Sequence, residues 1–291
     1  MAENLIDLKR RINSVKNTQK ITRAMKTVAA AKLRKNVKKL NRTESFIRKI
    51  EHLLNRIKNK LDYEDFPLFK EKEEGKVVIV ALSSDKGLCG AFNSHTIKEV
   101  EDHYKHLEEE KEEVIFITLG NKIYRNLNKK GFTIEKDYKS IMSDLKFSDS
   151  VQLSEYLQEI YLNRDIKRVE FVYTEFISSS KQETTVKQIL PFKIENREDE
   201  MEEQEIKYIF EPSLQEIFKY ILPKYVNSLV YRILLGSIAS EHAARMIAMD
   251  IATRNANDMI KSLTLTMNKL RQASITKELL EIITATEALK R

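Results

Sequence analysis

Residues 1–66 read MAENLIDLKRRINSVKNTQKITRAMKTVAAAKLRKNVKKLNRTESFIRKIEHLLNRIKNKLDYEDF, with no Gly and no Pro. Apolar side chains recur at Leu5, Leu8, Ile12 and Val15, and again at Ile47, Ile50, Leu54, Ile57 and Leu61. The steps alternate three and four, which is the seam of a coiled coil. Between Val15 and Ile21 the phase slips. The middle turns to small and slender residues, Ala24, Met25, Val28, Ala29, Ala30 and Ala31, which let a partner helix approach closely. A single helix over this stretch reaches about 80–90 Å at 1.5 Å per residue, more than a compact domain covers.

The other end of the chain offers the partner. After Pro223 there is no further Pro and only Gly236, and Leu229, Ile233, Ile260, Leu263, Met267 and Leu270 again step near 3.5. Pro223 is expected in a first turn or at a kink. A helix from there to Arg291 spans about 100 Å. The long intervening segment lets the two ends pair antiparallel around one seam.

Between them the pattern changes. Lys76–Leu82 (KVVIVAL), Val114–Leu119 (VIFITL) and Glu170–Ile177 (EFVYTEFI) are short β-branched runs, separated by helical patterns near 93–110, 121–130 and 150–163. This alternation predicts an α/β layer with a mostly parallel sheet. Thr184–Leu190 is a candidate edge strand, and the acidic stretch Glu195–Glu205 reads as an exposed loop or hairpin. The expected organisation is a coiled-coil helix over 1–66, a central α/β domain over 75–210 and a second coiled-coil helix over 211–291.

Composition narrows the function classes. Six Gly and four Pro in 291 residues argue against an all-β fold, and 33% charged residues suit long exposed helices. Cys89 is the only cysteine, so no disulfide framework can form. No run of about 18 apolar residues is present to span a bilayer. The opening residues lack an apolar block and carry early acids, so neither a secretory signal nor an organellar transit peptide is expected. A cytoplasmic bacterial protein, attached to a membrane only through partners, is the simplest expectation. Of the net +7, residues 1–60 hold 18 Lys and Arg against Glu3, Asp7, Glu44 and Glu51. Such an arm suits acidic partners or phosphates, or is simply a solvated face.

Few residue groups suggest chemistry. Ser83-Ser84-Asp85-Lys86-Gly87-Leu88-Cys89-Gly90 follows the first strand. A strand-to-helix turn of this kind either cradles a phosphate on backbone N–H groups or is a tight turn needing positive φ at Gly87 or Gly90. It lacks both nucleotide-loop spacings. Cys89 is either a thiol activated at a helix N-terminus or a buried small hydrophobe. His103 and His106, beside Glu99 and Asp102, offer a zinc face, but in this charged run a solvated helix surface is the favoured reading. Basic residues spread along the whole first helix, unlike those of DNA readers, which gather beyond the zipper. No spacing assembles a nucleophile, base and oxyanion site.

Four longer stretches carry a resemblance. Asn17–Lys32 (NTQKITRAMKTVAAAK), Ser84–Asn93 (SDKGLCGAFN), Ser240–Met249 (SEHAARMIAM) and Asn268–Leu279 (NKLRQASITKEL) are similar to the motifs of the gamma-subunit family of F-type ATP synthases, in family order and across nearly the whole chain. The resemblance implies an antiparallel coiled coil of the terminal helices with an inserted Rossmann-like domain. It implies a rotor shaft inside a ring of alpha and beta subunits, its foot on the c-ring and the epsilon subunit. No catalytic residue, metal, cofactor or nucleic acid is implied. Met25 and Lys26 match positions meeting the acidic lever of a beta subunit, and Arg245, Arg271, Gln272, Thr276 and Glu278 match catalytic-subunit contacts or shaft-stabilising positions. Ile275, Leu279 and Ile282 match the apolar bearing at the tip, and Tyr208 and Glu211 the foot facing the c-ring. The two-cysteine regulatory insert of chloroplast relatives is missing, so thiol regulation is not expected. The competing readings are a nucleotide-binding α/β module over 76–190 with helical dimerisation arms, and a basic coiled-coil scaffold for nucleic acid.

Overall fold

The structure, a computed structural model, describes residues 2–58, 66–193, 211 and 213–288. In chain order the elements are α1 (Ala2–Lys58), β1 (Lys76–Leu82), α2 (Phe92–Glu109), β2 (Val114–Leu119), α3 (Asn121–Lys129), β3 (Ile134–Tyr138), α4 (Phe147–Asn163), β4 (Ile166–Phe176), β5 (Gln182–Leu190) and α5 (Leu214–Ala288). They divide into two units. The first holds Met1–Ala29 with Arg245–Arg291, and the second holds Ala30–Ala244.

In the second unit the strands lie in the order β3-β2-β1-β4-β5. β1, β2, β3 and β4 run parallel, and β5 closes one edge antiparallel to β4. β1 is central, and its pleat sorts its residues into two cores. Val78, Val80 and Leu82 join a core with Leu40, Ile47 and Leu54 of α1, Leu153, Leu157 and Ile160 of α4, and Leu229, Val230 and Ile233 of α5. Val77, Ile79 and Ala81 join the opposite core with Val100 and Leu107 of α2 and Ile123 and Leu127 of α3. Burial on both faces explains the unbroken apolar run KVVIVAL.

The fold corrects the sequence reading in three places. First, β3 (IEKDY) is a strand that periodicity does not flag. It is an edge strand whose middle residues are polar, and Glu135 and Lys136 are exposed. Second, α5 starts at Leu214, so of the two places expected for Pro223, a first turn or a kink, the first turn falls away and the proline lies inside the helix. An interior proline costs about 3 kcal/mol. Burial of Phe218, Leu222, Tyr225 and Val226 around it offsets that cost.

Third, α1 has no phase slip. Leu5, Ile12, Gln19, Lys26, Leu33, Leu40, Ile47 and Leu54, each seven apart, are all buried or half-buried, and so are Leu8, Val15, Thr22, Ala29, Asn36, Thr43 and Ile50. The seam is continuous, but through Gln19, Thr22 and Lys26 it is polar. The apolar Ile21 and Val28 face outward, 60% and 55% exposed. Among the described residues no helix is long and apolar enough to cross a membrane.

Candidate functional site

In the first unit α1 and α5 run antiparallel and meet through side-chain polar groups. Gln19 Nε2 donates to Asn257 Oδ1. The Thr22 and Thr253 hydroxyls are 2.8 Å apart. Lys26 Nζ donates to Asp250 Oδ1 at 2.6 Å, and Arg254 Nη2 reaches the other Asp250 oxygen at 2.9 Å. The Lys26 ammonium, bonded to it, holds the Asp250 carboxyl below the usual carboxylate range, and Arg254 adds to the effect. A seven-residue step up α1, from Gln19 to Lys26, matches a seven-residue step down α5, from Asn257 to Asp250.

That register carries the start of α1 to about the level of residue 274 on α5. Every residue from 275 to 286 is exposed. The apolar side chains there stand largely in water: Ile275 is 50% exposed, Leu279 55% and Ile282 62%, with Leu280 and Ile283 similar. Ile251, Met259 and Leu265 add further exposed apolar groups nearer the paired region. The seam of the first unit therefore mixes buried apolar groups (Ile12, Ala29, Met249 and Ala256) with the polar pairs, and further apolar groups stay exposed on its outside.

The first unit collects most of the expected site residues. Met25 is half-buried, and Lys26 is engaged by Asp250. Arg245 is half-buried. Arg271, Gln272, Thr276 and Glu278 are exposed, with Thr276 Oγ1 donating to the Gln272 carbonyl at 3.0 Å and Ser274 Oγ to Glu278 at 3.2 Å. Glu211 is exposed in the second unit, and Tyr208 lies outside the described residues. Residue patterns alone miss Thr22, Asp250, Thr253 and Asn257. The signal for them is the heptad itself, if polar residues are admitted to the seam.

The turn after β1 spends its polar groups on itself. Ser84 N and Oγ both donate to Asn93 Oδ1, at 3.0 and 2.9 Å, and Asn93 Nδ2 donates to Cys89 Sγ at 3.1 Å. Asp85 accepts from Asn121 N at 3.2 Å and from Ser143 Oγ at 2.6 Å, placing a carboxylate where a phosphate would need cations. Gly90 takes φ +58°, and so does Leu88 at +65°. At Gly120, φ +103°, an added Cβ would sit 2.2 Å from the Ser83 carbonyl oxygen, so only glycine lets the loop after β2 pass β1. Cys89 is buried.

His103 departs from the solvated-surface reading. Its Nε2 lies 2.7 Å from Glu170 Oε2 on β4, and Arg168 pairs with the other Glu170 oxygen at 3.0 Å. His106 stays exposed, 3.4 Å from Glu110. Among the described residues no group of three or more His, Cys, Asp or Glu could hold a metal ion.

Long terminal helices, an α/β insert whose turn after β1 binds its own polar groups and an exposed apolar stretch at the end of α5 suit a subunit built for protein contacts. The comparisons agree. The family profile described as ATP synthase matches residues 4–289. The "ATP synthase gamma chain" of Persephonella marina is 41% identical over 286 residues, 98% of each chain. That of Aquifex aeolicus is 40% identical over 285 residues, 98% of this chain and 97% of the relative. A chain in the cryo-EM structure of the Euglena gracilis mitochondrial ATP synthase, in rotational state 3, shares the fold at TM-score 0.67 and 19% identity, over 99% of this chain and 95% of that one. A chain in the Tetrahymena thermophila central stalk/c-ring structure matches at TM-score 0.56 and 24% identity, over 80% of this chain and 99% of that one. The chain belongs to the ATP synthase gamma-chain family, the non-catalytic rotor subunits of F-type ATP synthases.

Proposed function

We propose that this chain is the shaft and foot of the central stalk in a bacterial F-type ATP synthase, at the cytoplasmic face of the membrane and attached to it only through partners. Ion flow turns a c-ring, the ring turns the foot, and the asymmetric helical shaft drives the catalytic sites of an alpha-beta ring through their states. The observation that carries this is the exposed apolar surface of the first unit at the end of α5. Contiguous apolar surface on an exposed helix marks a contact with another protein, and here Ile275, Leu279, Leu280, Ile282 and Ile283 face outward along the last turns of α5. The names of the relatives support the same reading.

In this proposal the working parts are the helix over 1–66, the α/β domain over 75–210 and the helix over 211–291. Ile275, Leu279 and Ile282 form an apolar tip that slides in an apolar sleeve, where a polar tip would have to break and remake hydrogen bonds at every step. Met25 and Lys26 meet the acidic lever of a beta subunit. Lys26 keeps 44% of its side chain in water while bonded to Asp250, so its remaining donors can serve both. Arg271, Gln272, Thr276 and Glu278 engage catalytic-subunit loops, with Arg245 below them on α5. Tyr208 and Glu211 contact the c-ring, next to the epsilon subunit. The chain uses no cofactor and no metal.

The test is reconstitution. The chain alone should hydrolyse no ATP and should restore hydrolysis when mixed with alpha and beta subunits. Ile275→Ser, Leu279→Ser and Ile282→Ser combined should leave the isolated chain folded, since exposed substitutions change stability by about 0.5 kcal/mol or less each, while weakening its retention in the ring. A chain that does not co-assemble with those subunits ends the proposal.

A further inference from the structure

We propose that Gln19, Thr22, Thr253 and Asn257, with the Lys26–Asp250 pair, are a register key: positioning residues that fix how far α1 and α5 are slid along each other in the first unit. The inference rests on the shaft reading for its functional consequence, but the key itself is a property of this chain.

An antiparallel pair with a uniformly apolar seam has equivalent packings one heptad apart. A polar residue at a seam position removes that degeneracy, because only one register pairs it. In the second unit the heptad series carries Leu33, Leu40, Ile47 and Leu54, and its register is held by the α/β core and by the Tyr225–Glu51 and Arg232–Glu44 contacts between α5 and α1; the first unit lacks that core. In the first unit the same series carries Gln19 and Lys26, and the companion series carries Thr22. Each meets a complementary group on α5. The two threonines are also tied to their own backbones, Thr22 to the Gln19 carbonyl at 3.0 Å and Thr253 to the Met249 carbonyl at 2.7 Å. With two hydroxyl protons, one threonine donates across to the other, whose own proton goes to its backbone carbonyl.

The slipped states are each penalised. Moving α5 by seven residues one way sets Lys26 opposite Asn257 and takes the ammonium away from Asp250. Moving it the other way sets Gln19 opposite Asp250 and Asn257 opposite Ile12, which is 6% exposed. Ile12 offers that amide no hydrogen-bond partner. A slip of one heptad displaces Ile251, Met259 and the tip beyond them by about 10 Å relative to Ile21 and Val28. A shaft that presents two apolar faces to different subunits cannot absorb such a displacement. A polar key lowers the stability of a helix pair relative to an apolar seam, and this opposite movement of stability and positioning separates the key from an ordinary stabilising contact.

The test uses the full chain with Cys89→Ser and spin labels on cysteines introduced at Val28 and Met259, both exposed. The unaltered seam should give one narrow distance. The variant Gln19→Leu, Thr22→Val, Thr253→Val, Asn257→Leu should melt no lower than the parent, yet show a broadened or second distance. The exchange Gln19→Asn with Asn257→Gln should restore the single distance. Reassembled with its partner subunits, the apolar-seam variant should lose ion pumping while ATP hydrolysis persists. An unchanged single distance in that variant, or a lowered melting temperature, overturns the key. Failure of the parent chain to assemble with alpha and beta subunits would instead overturn the shaft reading and leave the distance result standing.

Discussion

The same two helices are joined by different chemistry in the two units. In the second unit, Leu40, Ile47 and Leu54 of α1 sink into a core shared with α4, α5 and the sheet. Polar bonds there lie at the rim: Arg232 between Glu44 and Glu175, and Tyr225 donating to Glu51 at 2.7 Å. In the first unit polar bonds share the seam with the buried Ile12, Ala29, Met249 and Ala256, and further apolar groups face out. One α1 heptad runs through both, so the period of the helix does not decide where hydrophobicity goes; what surrounds each stretch decides. Where an α/β layer covers the helices, the apolar stripe turns inward. Where the chain provides no cover, the exposed Ile21, Val28 and Leu279 call for cover from another protein.

The sharpest way to break this comparison is to truncate equivalent seam positions. Ile47→Ala, at a side chain 3% exposed, should cost about 2–5 kcal/mol, the range for an aliphatic cavity in a packed core. Gln19→Ala, in the same heptad series, should change stability by about 0.5 kcal/mol or less. Denaturant unfolding of both variants checks this. Equal costs would mean that the first unit has a conventional core after all.

The seam also shows what could be read in the sequence and what could not. The outer heptads, Leu5 to Val15 and Ile47 to Leu54, announce the helix because their seam residues are apolar. The stretch between them misleads, since Ile21 and Val28 draw the eye off the true positions of Gln19, Thr22 and Lys26. β1, β2 and β4 are legible because burial on both faces demands unbroken apolar runs, whereas β3, with one neighbour and polar middle residues, leaves no such trace. Pro223 suggests a helix start because its local cost is visible in sequence, while the compensating burial of Phe218 against Phe66 and Phe69 is tertiary. The site's apolar tip is readable residue by residue. The Asp250 and His103 partnerships are not, because each joins elements far apart in the chain.

A second contrast is between ion pairs. Arg232 keeps only 21% of its side chain exposed and contacts Glu175 at 2.9 Å and Glu44 at 3.4 Å. Arg232→Met should lower stability by about 1–2 kcal/mol, at the lower end for charged hydrogen bonds because both carboxylates keep about a third of their surface in water. The loss should persist in 1 M salt, where the Debye length is near 3 Å. Lys26–Asp250 is more exposed, so Asp250→Asn should cost less, and high salt should remove most of the difference. A salt-insensitive Asp250→Asn would show that the first seam is drier than its geometry indicates.

Acidity and alkalinity should separate the units most finely. Burial raises the Tyr161 phenol, on the second unit's α4, to about 12, and its hydroxyl donates to the Lys70 carbonyl at 2.5 Å. A neutral acid held neutral by folding contributes stability below its unfolded pKa, about 10, and loses it as pH rises from there to about 12. Asp250 works in the opposite sense. Its folded pKa is depressed, chiefly by the Lys26 hydrogen bond, so its contribution is complete above the unfolded value of 3.8 and fades as pH falls through the lower folded value. Hydrogen exchange at the amides of 245–257 should therefore quicken below about pH 4 in the parent chain. It should do so less in Asp250→Asn, which has no carboxylate to protonate, while the amides of α4 should respond on the alkaline side and lose that response in Tyr161→Phe. Parallel acid profiles for the parent and Asp250→Asn would mean that the Lys26 bond does not govern the seam, and the contrast between the two helix pairings would then rest on their apolar groups alone.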